Sequence, residues 1–154
     1  MIARMKRRRV AVTLVLAGLG VGTAIALSPI MRPRCREVRG EETVSISLTQ
    51  LTRGGVDFFC FRDLAGEKLR FMLARGTDGK VESAFDACAQ CYKFGKGYTM
   101  SHGELICRLC GTHYQVRSLG TGKASCVPVR LPNEQTGKTV NVKVSDLQKG
   151  RSLF

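Results

Sequence analysis

The sequence predicts a mostly β protein: one small antiparallel domain carrying two cysteine-bearing loops, preceded by a single transmembrane helix. Three observations predict it. Apolar and polar residues alternate with a period of two in several short runs after residue 40, helical periodicity is absent after residue 31, and a long charge-free run lies near the N-terminus.

That run, Val10 to Met31, is long enough for a helix to cross the hydrocarbon core, which takes about 20 residues. A basic head, Arg4 to Arg9, precedes it, and the stretch after it, Arg32 to Glu42, is diluted by acids. The positive-inside rule then places residues 1–9 in the cytoplasm and the rest outside. Ala24-Ile25-Ala26 offers a small-x-small cleavage site, so a signal peptide is the alternative to an anchor over 10–31. Either way the remaining chain is exported, with a linker over 32–43 and a β domain over 44–154.

Val44, Ile46 and Leu48 alternate with Ser45, Ser47 and Thr49, as expected of a half-buried strand. A second strand is expected over Val56 to Arg62 and a third around Leu69, Phe71 and Leu73. Gly76-Thr77-Asp78-Gly79 then supplies a tight turn before Val81 to Phe85, so the chain reads as a meander leading into the first cysteine pair. Further on, Tyr114 and Val116 predict a short strand, Gly120 to Lys123 a turn, and Val140, Val142 and Val144 a last strand.

The formal charge of +13 does not make this a nucleic-acid binder, because the charge is concentrated at one end. Residues 1–36 hold eight Lys or Arg and no acid; taking those eight from the 25 leaves 17 bases against 12 acids, a surplus of five. No Ser/His/Asp arrangement, paired-carboxylate motif or phosphate loop occurs in the exported part, and the reading is non-enzymatic. Gly18, Gly20 and Gly22 fall inside the apolar run, where small residues pack membrane helices closely.

The chemistry lies in the cysteines. Seven is an odd number, which rules out a fully paired intramolecular disulfide framework. Cys88-Ala89-Gln90-Cys91 and Cys107-Arg108-Leu109-Cys110 are two Cys-x-x-Cys pairs separated by the stretch Tyr92 to Ile106. Two residues between cysteines let a tight turn aim both sulfurs at one ion, and two such knuckles complete a tetrahedral thiolate cage. Lys93, Lys96, Arg108, Arg117 and Lys123 cluster nearby and would offset the thiolate charge, or are ordinary solvated side chains. A single zinc or iron ion fits such a cage. Cys126, which follows Cys110 at the same interval that separates Cys91 from Cys107, is a thiol that a closed zinc site does not need. Covalent haem is disfavoured because Tyr92 and Gly111, not His, follow the pairs. His102 and His113 flank the second pair and are read mainly as polar surface. Cys60, set among Phe58, Phe59 and Phe61, reads as a buried small hydrophobe, and Cys35 as a candidate for an intermolecular disulfide.

Taken together, Phe85-Asp86-Ala87-Cys88-Ala89-Gln90-Cys91-Tyr92, Gly95-Lys96-Gly97-Tyr98, Ile106-Cys107-Arg108-Leu109-Cys110-Gly111 and Cys126-Val127-Pro128 resemble the FtrD-like membrane iron–sulfur proteins. The resemblance runs from about Val56 to Leu147, more than half of the chain. Longer relatives carry several transmembrane helices at the N-terminus. The resemblance implies an iron–sulfur centre, with [2Fe–2S] the first expectation, and Cys88, Cys91, Cys107 and Cys110 as ligands, Cys126 being an additional candidate. It also implies a membrane setting beside an iron permease and ferredoxin-like membrane electron carriers. Cys107-Arg108-Leu109-Cys110-Gly111-Thr112-His113-Tyr114 is further similar to the second loop of Rieske-type domains, with Cys where a ligand His would stand. Electron transfer or metal handling linked to iron uptake is the leading expectation. A structural zinc-ribbon module organising a membrane complex is the second, and a copper(I) carrier the third.

Overall fold

The computed structural model describes residues 35–116, 119 and 126–154. The apolar run over 10–31, the turn at 120–123, and Arg117 and Lys123 lie outside the described residues. Among the described residues no helix is long and apolar enough to cross a membrane.

The described residues form three sheets. The central one orders β1 (Arg36–Val38), β3 (Gly55–Arg62), β4 (Lys68–Arg75), β5 (Val81–Cys88) and β9 (Pro128–Arg130) side by side. β10 (Glu134–Thr136), β11 (Thr139–Lys143) and β2 (Thr43–Ser47) form a second sheet. The third consists of β6 (Tyr98–Ser101), β7 (Glu104–Cys107) and β8 (His113–Gln115).

Period-two alternation assigns the two faces of the central sheet to different cores. On one face Phe59, Phe71, Leu73 and Phe85 pack with Val44 and Ile46 of β2 and with Val140 and Val142 of β11. On the other, Met72, Ala74, Ala84 and Cys88 pack with Tyr98, Leu105, Cys107 and Tyr114 of the third sheet. β4 and β5 are therefore buried on both faces, and the five-stranded sheet is the middle layer of three. The same alternation puts Ala84, Asp86 and Cys88 on the face turned to the third sheet.

The expected meander is present. β3 pairs with β4 and β4 with β5, all antiparallel, aligning Phe59 with Phe71 and Phe71 with Phe85. Gly79, at φ 86°, closes the turn between β4 and β5 with its N–H donating to the Gly76 carbonyl at 3.1 Å.

Several features differ from the sequence reading, the short strands β9 and β10 among them, which alternation did not indicate. Arg36–Val38, read as linker, forms β1 and pairs parallel with β3. The strand expected to include Val144 stops at Lys143; Val144 instead opens a short helix, α1 (Val144–Lys149), which buries Val144 and Leu147 in the core. β6 and β7 carry little alternation, and their hairpin depends on His102 (φ 50°) and Gly103 (φ 82°), two positive-φ residues forming a two-residue turn. Cys35 is bonded to Cys60 within the chain, Cα to Cα 5.4 Å, which corrects the intermolecular reading of Cys35; Cys60 is buried as expected and is in addition half of this disulfide. The parallel strand β1 brings the two together: Arg36 pairs with Phe59 and Glu37 with Cys60.

Candidate metal centre

Each Cys-x-x-Cys pair sits where a strand ends, and the two turns have the same local design. Cys88 closes β5, and its sulfur accepts the backbone N–H groups of Gln90 and Cys91. Cys107 closes β7, and its sulfur accepts those of Leu109 and Cys110. A 3-10 turn at Tyr92–Phe94 follows the first pair and ends on Gly95 in the left-handed region. After the second, the Gly111 N–H returns to the Cys107 carbonyl at 2.9 Å.

Because β5 and β7 face each other across one core, the two turns converge. The sulfurs of Cys91, Cys107 and Cys110 all lie within 4.8 Å of one another. Those of Cys88, Cys91 and Cys126 do so as well, so Cys91 belongs to both groups. Cys91 and Cys126 are 4.0 Å apart, sulfur to sulfur. Cys88 and Cys107 are buried, Cys91 and Cys126 half-buried, and Cys110 is exposed. The five sequence-predicted candidates thus fall into two groups joined by Cys91, with Cys126 in the one that holds Cys88.

Cys126 is held from three sides. Its carbonyl accepts the Tyr98 hydroxyl at 3.1 Å and also the Tyr114 hydroxyl, and the Ala89 N–H donates to the neighbouring Val127 carbonyl at 3.0 Å. Tyr98 is wholly buried, and its ring meets Tyr114 edge-on at 6.0 Å.

Behind the thiols stands a carboxylate that spacing rules did not single out. Asp86 is buried two residues before Cys88, and its Oδ1 accepts the Tyr98 N–H at 2.6 Å. Burial pushes its carboxyl up to about 6, against the pull of the Tyr98 N–H and of the Arg70 and Arg108 guanidinium groups. Arg70 also donates to the Gly95 carbonyl at 3.2 Å, and Arg108 to the Tyr98 carbonyl at 3.0 Å. The pairing of β5 with β9 is irregular between Ala84 and Cys88, where Asp86 turns toward the loops. An acid in an otherwise buried strand was the only available signal. Of the basic residues near the pairs, Lys93 and Lys96 are exposed, whereas Arg108 is half-buried and structural.

The histidines serve elsewhere. His102 forms the β6–β7 turn, and His113 Nδ1 meets Glu104 at 2.8 Å. Among the described residues, only cysteines make up the groups able to hold a metal.

The thiols differ electrostatically. The Thr112 hydroxyl at 3.2 Å leads in drawing Cys110 down to about 6. Burial works against ionisation of Cys88, but the N–H groups of Gln90 and Cys91 and the Tyr98 hydroxyl outweigh it and lower its pKa. Burial first, then neighbouring sulfurs, raise Cys91; burial also raises Cys107. Contact with Cys110 raises Cys126. So many thiolates so close repel one another, and a cationic core is what lets them ionise together. Converging sulfurs, N–H groups directed at the first sulfur of each pair and the burial of Cys88 and Cys107 fit a thiolate-held metal or iron–sulfur group.

The fold and pocket define a class: a cysteine-rich, three-sheet β domain with five converging thiols. The family model described as membrane iron–sulfur containing protein, FtrD-like, matches residues 51–154, and the chain belongs to that family. No curated protein and no solved structure matches it.

Proposed function

We propose that this chain is a membrane-anchored iron–sulfur protein that transfers electrons or handles metal in membrane iron uptake. One observation carries the reading: the two Cys-x-x-Cys turns bring their thiols together, the sulfurs of Cys91, Cys107 and Cys110 lying within 4.8 Å of one another. Cys88, Cys91, Cys107 and Cys110 are the proposed ligands of a [2Fe–2S] cluster, which when bound supplies one-electron redox chemistry. The protein's part is to hold the group rigidly, to direct N–H dipoles at its sulfurs and to exclude water with Tyr98 and Tyr114. With thiolates in place of imidazoles, the potential falls below the about −150 to +300 mV of His-ligated Rieske centres.

The proposed topology is a single pass over 10–31, N-terminus inside, with the cysteine-rich domain outside. The Cys35–Cys60 disulfide supports this placement, since such bonds persist in oxidising compartments. An iron permease and ferredoxin-like membrane carriers are the proposed neighbours.

The test is anaerobic purification of the full chain, with iron and acid-labile sulfide measured per chain alongside visible absorption and electron paramagnetic resonance. Two irons and two sulfides, with a reducible chromophore, are expected for this cluster type. A colourless protein with one zinc and no sulfide would establish the zinc-ribbon alternative instead.

A further inference from the structure

The pocket holds five thiols where a four-ligand centre needs four, and the surplus falls in one place. Cys88, Cys91 and Cys126 form one close group, whereas the second knuckle contributes Cys107 and Cys110. Within the first group Cys88 is buried and fixed at the end of β5, while Cys91 and Cys126 are both half-buried and 4.0 Å apart. Cys91 also belongs to the group with Cys107 and Cys110, and Cys126 lies directly beside it.

We propose that Cys91 and Cys126 are alternative ligands for one coordination position. The centre can be held by Cys88, Cys91, Cys107 and Cys110, or by the same set with Cys126 in place of Cys91. This rests on the iron–sulfur reading above and assigns Cys126 a role within it.

The backbone argues that Cys126 is built into the pocket. Two tyrosine hydroxyls, one on a wholly buried ring, donate to its carbonyl, and the Val127 carbonyl is bound by the N–H of Ala89, inside the first knuckle. A surface cysteine near a cluster by accident has no such support. The sulfur of Cys126 is thereby held 4.0 Å from that of Cys91. With a metal group bound, exchange would break one metal–sulfur bond as another forms, the proton passing from the incoming thiol to the outgoing thiolate. The oxidation state does not change.

The experiment compares the full-length wild type with Cys91→Ser, Cys126→Ser, Cys91→Ser/Cys126→Ser and Cys88→Ser, each reconstituted anaerobically with iron and sulfide. Either single substitution at the exchanging pair is expected to keep iron and sulfide near the wild-type content. Cys91→Ser should show shifted electron paramagnetic resonance g-values, because the remaining thiol approaches from another segment of the chain. The double variant and Cys88→Ser should lose at least about tenfold in retained iron. Circular dichroism establishes that each variant folds. Emptying of the site by Cys91→Ser in a folded protein, or full retention by the double variant, overturns the proposal. The same panel is titrated with cadmium(II), read by the ultraviolet sulfur-to-metal band. If the wild type assembles no sulfide, the iron–sulfur reading fails, and cadmium retention in the single variants with loss in the double variant still decides the exchange.

Discussion

The Tyr98 hydroxyl donates to the carbonyl of Cys126 at 3.1 Å, tying the last cysteine to β6, where Tyr98 pairs with Cys107 of the second knuckle. Tyr114 donates to the same oxygen from β8. Replacing Tyr98 by Phe keeps the ring and removes this bond, with an expected cost of about 1 kcal/mol, and Tyr114→Phe should cost no more because that residue is less enclosed. Thermal unfolding measures the stability change. Iron release to a chelator should be faster in both variants, and unchanged release would show that the tyrosines do not serve the site.

Gly97 and Asp86 are the second point of support. Gly97 lies at φ 63°, and a Cβ there would overlap the Asp86 carboxylate. Gly97→Ala therefore combines an unfavourable backbone with displacement of the acid that binds the Tyr98 N–H, for an expected loss of about 1–3 kcal/mol. Chemical denaturation should show it together with reduced metal content. Gly66→Ala, also at positive φ but with open space around it, is the control: it should lose stability without losing metal.

The Cys35–Cys60 disulfide joins residues 25 apart in sequence. A loop of that length constrains the unfolded chain by about 3 to 4 kcal/mol in the chain-entropy model. Cys35→Ser and Cys60→Ser should lower the melting temperature alike, and reductant should lower it in wild type but not in the variants. Gel mobility without reductant should remain monomeric in wild type, whereas a ladder of disulfide-linked dimers would contradict the intramolecular pairing.

Arg151 meets Asp63 at 2.5 Å, and the Asp63 side chain is enclosed. Burial alone would raise that carboxyl, but the Glu67 N–H and the Arg151 guanidinium outweigh it and hold it below its ordinary value. A carboxyl with a depressed folded-state pKa adds stability above its unfolded value, and that stability is lost as pH falls through the folded value. Unfolding from about pH 5 downward should thus lose stability more steeply in wild type than in Arg151→Ala. Parallel curves would exclude a role for the pair.

Strands whose apolar residues alternate, such as β2 and β3 to β5, were legible because burial on a pleated sheet imposes that period. The β6–β7 hairpin was not: it is held by the His102–Gly103 turn and by packing of Tyr98, Leu105 and Cys107 against the central sheet. Val144 illustrates the opposite error, since its spacing continued the β11 pattern while its backbone entered α1. The cysteine pairs announced themselves because ligand turns are local. The contacts of Asp86 and Arg70 and the clamp on Cys126 were invisible, since each joins elements far apart in the chain.

Cysteine spacing alone predicted two Cys-x-x-Cys turns, because such a turn is built from adjacent residues, and the stretches around the cysteines carried the resemblance to the FtrD-like family. It took the folded arrangement to establish that both turns open into one pocket, that Cys91 lies in two sulfur groups, and that Cys35 finds Cys60. Burial of the core between the central and third sheets brings β5 and β7 face to face, and parallel pairing sets β1 beside β3. Those are contacts between distant segments, which no local period encodes.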